Sequence, residues 1–538
     1  MARPQLISHL SFVVLLLVST LSSAKSLRSR QLAAELQAQN APKQQLSRRA
    51  SNTSDFRFYN NNTAPYNVES LPLIDFDIGE FYSGMMPVND SLDAAMFFIF
   101  QPRVGDPVDE ITIWFNGGPG CSSLEGFLQE NGMFQWAWGM YNAEINPYSW
   151  PNLTNMLWVE YPLGVGYSGD YSPTATTEEE IAQDFLGFFK NFQDTFGIKN
   201  FKIYVTGESY AGRYVPYVAD AMIAENDSTY FNVSGALIYD PEISNDYVQL
   251  AVPIVPFVYK YNDFLNYNDT FMAQLADLHE VCGYADFIKK YYTFPPSGPQ
   301  PPNLSFNSSG PEGVDCDLWH MAYKEAYKVN NCFNVYEINI QCPLMFDPLG
   351  FPSDIEYLAP GFGDHVYFDR DDVKAALHAP NTTWAECNGN AFNSSAAPNT
   401  SYGDTSADSI AYVLPRVIET TQRVLIASGD YDMELPTLGT MLAIQNMTWG
   451  GKMGFQVAPS EEINLQLEDL ALVQIYNQSG LEGYDGYPGS GQGIMGTQHF
   501  ERGLMWATTR QSGHMQPQFQ PRASYRHLQW LLGHIEKL

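Results

Sequence analysis

The chain has 538 residues and a formal net charge of −32, from 28 Lys and Arg against 60 Asp and Glu. Such a polyanion is repelled by nucleic acid and by anionic membrane surfaces, and its basic residues are scattered, so neither is expected as a partner. The length allows roughly two or three domains around a large core.

Residues 1–24 combine Arg3, an apolar stretch from Leu10 to Val18 and small residues ending at Ala24. That is the pattern of a secretory signal cut after Ala24, with an apolar core too short to span a bilayer. Residues 25–52 turn to Gln, Ala, Arg and Ser with a dibasic Arg48-Arg49 pair, which reads as a flexible arm or pro-segment that buries too little to order itself.

From 53 to 240 the pattern alternates. Ile111 to Phe115, Met156 to Glu160, Phe201 to Thr206 and Gly235 to Tyr239 read as buried strands, and Glu178 to Phe192 carries an apolar helical face. Arg213 to Ile223 can also be helical. Between 241 and 369 the alternation stops: four of the cysteines, a Pro-rich run at 295–302 and helical pieces such as Phe271 to Leu278 and Trp319 to Val329 mark an inserted cap. Strands resume at Arg423 to Ser428 and Gly503 to Thr508, making 370–538 the second part of the core. The expected fold is α/β, a mostly parallel sheet with helices on both faces.

Cys121, Cys282, Cys316, Cys332, Cys342 and Cys387 remain after the signal, an even count that reads as disulfides with the pairing open. No CxxC or HExxH spacing is present, so no metal or other cofactor is expected. Fourteen N-x-[ST] sequons, at Asn52, Asn61, Asn89, Asn152, Asn226, Asn232, Asn268, Asn303, Asn307, Asn381, Asn393, Asn399, Asn446 and Asn477, mark candidate glycan sites and support the secretory route.

Four stretches carry chemistry. Gly207-Glu208-Ser209-Tyr210-Ala211 lies between a strand and a helix, where small neighbours let the chain reverse and leave Ser209 standing proud as a nucleophile. Asn116-Gly117-Gly118-Pro119-Gly120-Cys121 follows another strand, and its glycines allow a backbone amide, that of Gly118, to face an oxyanion together with the amide of Tyr210. An acidic turn, Gly429-Asp430-Tyr431-Asp432, and then Ser512-Gly513-His514 follow later strands. Serine, acid and histidine in that order are those of an α/β-hydrolase.

These blocks, with WFNGGPGCSS, GESYAGRYVP, GDYDMELP and GHMQPQFQP, resemble the serine carboxypeptidase family from roughly Phe81 to the C-terminus. The resemblance implies an α/β-hydrolase fold and a nucleophile at Ser209, a general base at His514 and an orienting carboxylate at Asp432, with Asp430 as the alternative. It also implies a clamp for the substrate's free C-terminal carboxylate, made of Asn116, the amide of Gly117, Glu130 and Glu208. Carboxyls in that role must be protonated to donate, which implies action on peptides at acid pH. The family's habit of tying its glycine-rich turn to a distant cysteine implies Cys121 with Cys387, leaving Cys282 with Cys342 and Cys316 with Cys332 as a nested pair.

The implied activity is release of C-terminal amino acids from peptides by a secreted or vacuolar glycoprotein. An acyltransferase on the same triad and a non-catalytic glycosylated binding protein are the alternatives. Glu160, Tyr167, Tyr239-Asp240-Pro241 and Gln516 depart from the family's usual residues, which leaves the pocket's shape open.

Overall fold

The computed structural model describes residues 53–89, 94–140, 142–169, 171–301, 314–342, 346–350, 366–388, 391–397, 402–465 and 493–538. The expected signal and arm and the sequons at Asn52, Asn303, Asn307, Asn399 and Asn477 lie outside them, while the other sequon asparagines are exposed or half-buried.

A ten-stranded sheet forms the centre. In chain order its strands are β1 (Tyr82–Pro87), β2 (Ala95–Gln101), β3 (Glu110–Phe115), β4 (Asn155–Val159) and β5 (Lys202–Glu208). They continue with β6 (Asn232–Tyr239), β7 (Val424–Gly429), β8 (Glu461–Leu465), β9 (Gly493–Glu501) and β10 (Leu504–Thr509). The spatial order is β1-β2-β4-β3-β5-β6-β7-β10-β9-β8. From β4 to β10 every pairing is parallel, and antiparallel strands close both edges. All the strands read from sequence belong to the parallel centre. The edge strands were not among them.

The parallel strands are buried on both faces, so each alternates between two cores rather than between core and water. In β7, Val424 and Ile426 join one core and Leu425 and Ala427 the other. The first core is covered by helices α1 (Glu178–Phe196) and α2 (Ala211–Glu225), whose buried faces carry Phe185, Phe188, Phe192, Tyr214 and Val218. Thr177 caps α1 by accepting the Glu180 amide, and Gly197 ends it at φ 69.

Helices α3 (Ile254–Leu265), α4 (Asp269–Val281), α5 (Tyr284–Tyr291) and α6 (Leu318–Val329) lie between β6 and β7 and enclose a third core. That core also takes in Met433, from the acidic turn after β7. Met433 is pinned there by its amide, which donates to Val335 O at 3.0 Å, and by its carbonyl, which accepts Trp319 Nε1 at 2.8 Å. On the opposite sheet face, α7 (Pro521–Leu531) packs Leu528 and Leu531 into the second core.

Cys121 is joined to Cys387. The nested pairing implied for the others is corrected: Cys282 bonds Cys316 and Cys332 bonds Cys342, with Cα separations of 5.8 and 5.2 Å. The reason is local packing. Cys282 caps the end of α4 and Cys316 sits just before α6, two helices that pack in the same core. Beyond α6 the chain doubles back, with Asn330 Nδ2 donating to Ile340 O at 2.9 Å, and brings Cys342 to Cys332.

Candidate active site

β5 ends at Glu208 and α2 begins at Ala211, so the chain reverses through Ser209 and Tyr210 alone. Ser209 takes φ 62, a left-handed conformation costly for a residue with a Cβ. Its backbone is locked on both sides: the amide donates to Tyr239 O at 3.0 Å, and the carbonyl accepts the amides of Gly212 and Glu242 at 2.8 and 2.9 Å. A Cβ on Gly207 would lie 2.5 Å from Phe115 O and 2.7 Å from Ala211 Cβ, so the turn closes only with glycine there.

The glycine-rich turn after β3 meets this elbow. A Cβ on Gly117 would stand 2.5 Å from Tyr210 N and 2.6 Å from Ser209 Cβ. Gly118 follows at φ 111, and Tyr210 opens α2, whose N-terminus favours negative charge. Glu160 anchors the turn from behind. Its carboxylate accepts Ser122 Oγ and, at 3.1 Å, Trp384 Nε1, and burial pushes it up to about 7.

His514 is 3 % exposed and Asp432 fully buried, with Nδ1 and Oδ2 2.7 Å apart. The other Asp432 oxygen accepts the amides of Glu434 and Leu435, fixing the carboxylate's plane. Asp430 instead accepts the Gln511 amide and does not meet the imidazole. Burial alone would depress His514; the charge and hydrogen bond of Asp432, joined by Asp240 and Glu434, raise it to about 9. His514 Nε2 is buried with no partner among the described residues.

Asn116 spans two carboxyls, its Nδ2 donating to Glu208 Oε1 at 2.9 Å and to Glu125 Oε2 at 3.1 Å. Its Oδ1 is held by Trp114 Nε1 at 2.7 Å. Glu130 lies on the buried turn Gly126–Asn131 and is 1 % exposed. Among the described residues, both Glu130 oxygens and Glu208 Oε2 lack an N–H or O–H donor, so the pair is satisfied when one carboxyl holds a proton and donates it to the other. Burial first, then the charges of Glu130 and Glu125, drive Glu208 well above the usual carboxyl range. Burial and Glu125 do the same to Glu130, against the pull of its hydrogen bond with Glu208.

Asn116, Gly117, Gly118, Glu208, Ser209 and His514 together line a cavity of about 70 Å³. Glu130 and Asp432 stand behind this lining. Acids that escape sequence reasoning also belong to the site, Glu125 and, behind it, Asp347 among them. Glu125 lines the same cavity and is raised to about 7 by burial and by Asp347. Asp347, raised to about 7 by burial, accepts Gln129 Nε2 at 2.7 Å. Glu125 could have been sought beside the glycine turn, whereas Asp347 comes from the cap and carries no motif.

The family model for serine carboxypeptidase matches residues 72–534. The chain is 57 % identical over 488 residues to serine-type carboxypeptidase F of Aspergillus niger, covering 90 % of each chain. It is 37 % identical over 470 residues to a carboxypeptidase Y homolog of Arthroderma benhamiae, covering 87 % of this chain and 86 % of that one. Its fold matches the crystal structure of a prohormone-processing carboxypeptidase from Saccharomyces cerevisiae with a TM-score of 0.65 at 21 % identity, covering 88 % of this chain and 96 % of that one. The disulfides agree with an oxidising secretory route. No helix among the described residues is long and apolar enough to cross a membrane. The chain therefore belongs to the serine carboxypeptidase family, and it is a serine-type carboxypeptidase of α/β-hydrolase fold.

Proposed function

We propose that the protein removes single residues from peptides with a free C-terminus through an acyl-enzyme on Ser209. His514 Nε2 takes the Ser209 proton as the hydroxyl oxygen attacks the last peptide carbonyl, and Asp432 holds the imidazole and balances its charge. The oxyanion rests on the amides of Gly118 and Tyr210. His514 then protonates the departing amino acid, and water, deprotonated by the same imidazole, releases the shortened peptide. The observation that carries this reading is the 2.7 Å contact of His514 with buried Asp432, with Nε2 unpartnered among the described residues and His514 and Ser209 lining one cavity.

In this reading the substrate's terminal carboxylate sits against Asn116, the Gly117 amide and the Glu130–Glu208 pair. An ionised pair would repel it, and a protonated pair donates to it, which favours acid pH. His514 must be neutral to act as base, an opposing demand. Burial lowers its pKa, and the charges of Asp432 and Asp240 raise it. Such a balance suits the medium or an acidic vacuole.

Treatment with a serine-directed phosphonate, followed by peptide mapping, tests the assignment. The label is expected on Ser209, with loss of amino-acid release from a blocked peptide. Release that survives full labelling, or a label elsewhere, rejects it. Accumulation of transfer products in place of free acid would favour the acyltransferase.

A further inference from the structure

We infer that Asp240 is a positioning residue for the imidazole and its carboxylate partner, an inference that rests on the triad proposed above. Asp240 follows β6 and is fully buried. Its Oδ1 accepts the Gly429 amide at 2.7 Å and its Oδ2 accepts Gln516 Nε2 at 2.6 Å. Gln516 Oε1 in turn accepts Thr509 Oγ at 2.7 Å, and the Gln516 amide donates to His514 O at 3.0 Å. The Asp240 amide donates to Ala427 O at 2.8 Å.

This chain of bonds laces the ends of β6, β7 and β10. Gly429 is the last residue of β7 and leads into the turn that carries Asp432; Thr509 is the last residue of β10 and leads into the turn that carries His514. Two turns from different strands must present a carboxylate and an imidazole at hydrogen-bonding distance, and both are tied to one buried side chain. The site also explains why that side chain is a carboxyl. Both of its oxygens accept N–H donors, so an asparagine in its place would keep the Gly429 bond only by turning its NH₂ toward Gln516, which would then have to flip and stop accepting the Thr509 hydroxyl. Asp240 and Gln516, two of the departures noted in the sequence, are one device.

A reciprocal exchange tests the inference. Asp240→Asn either sets two donors face to face or flips Gln516 so that it no longer accepts the Thr509 hydroxyl, Gln516→Glu sets two carboxyls face to face, and the double variant restores one donor and one acceptor with the charge moved across the bond. With a blocked dipeptide substrate, each single variant is expected to lower kcat about tenfold to hundredfold with KM held within about twofold, as a displaced catalytic group does. The double variant is expected to recover kcat to within about threefold of the parent. A merely structural contact would lower the melting temperature and leave kcat per folded molecule unchanged, which would overturn the inference, as would a double variant no better than the worse single one.

If Asp240→Asn does not fold, Thr509→Val removes the far end of the same chain, and an unchanged kcat there is equally fatal. Phosphonate labelling separates the two readings. An enzyme that labels at Ser209 but is indifferent to these exchanges rejects the role of Asp240 alone; one that does not label rejects the triad beneath it.

Discussion

Replacing Glu208 by glutamine removes the carboxyl whose ionisation is expected to eject the substrate, while keeping its size and its contact with Asn116. Glu208 is 3 % exposed, bonded to Asn116 Nδ2 at 2.9 Å, and raised by burial and by its acidic neighbours. A neutral form that binds and a charged form that does not lead to a definite sign. Affinity for a free C-terminus is full below the raised pKa and falls as pH rises through it. Each unit beyond costs tenfold, about 1.4 kcal/mol, so roughly two units cost about a hundredfold in KM. The variant donates at every pH and should show a nearly flat KM, with kcat little changed. The assay is kcat and KM for a blocked dipeptide from acid to mildly alkaline pH, beside the same peptide as its C-terminal amide, which has no carboxylate to repel. An alkaline rise in KM as steep in the variant as in the parent would refute the clamp.

Ser209→Ala should abolish phosphonate labelling and leave only the residual catalysis of the binding site, about 10³-fold over water, read by long-time release assays. Asp432→Asn should cost about 10⁴ in kcat by leaving the wrong tautomer at His514, whereas Asp430→Asn, at a side chain held by Gln511, Ser512 and Tyr261 rather than by the imidazole, should cost less than about tenfold. Gly117→Ala places a Cβ 2.5 Å from Tyr210 N and 2.6 Å from Ser209 Cβ, so it should lower stability by about 1–3 kcal/mol and kcat with it, measured by thermal melting and turnover. A non-reducing peptide map should yield linked peptides containing Cys282 with Cys316 and Cys332 with Cys342; a fragment joining Cys282 to Cys342 would contradict the cap's packing.

The parallel strands were legible because burial on both faces leaves runs dominated by β-branched and aromatic residues, such as Ile111 to Phe115. The edge strands were not, for reasons visible in their residues. β1 contains Gly84 and ends in Pro87, which weaken any strand signal, and β8 alternates exposed glutamate and asparagine with buried Ile463 and Leu465 over only five residues. β2, by contrast, is an apolar run from Ala95 to Phe100 as clear as those of the centre. In the site, Ser209 and His514 lie in motifs whose geometry the local sequence dictates. Glu125 lies nine residues beyond Asn116 and was within reach of the glycine turn, whereas Asp347 comes near it only through folding, and no spacing rule connects the two. The pairing of the cap cysteines is of the same kind, since it follows from how α4 packs on α6.

Met433 belongs to the hydrophobic interior of the inserted helices, yet it is the residue next to Asp432. The insertion is thus no detachable module that could be exchanged between relatives to change specificity. A chimera that repacks around Trp319 or Val335 would pull on the backbone of the aspartate proposed to orient the imidazole, and its loss would be read as slow turnover rather than as altered preference.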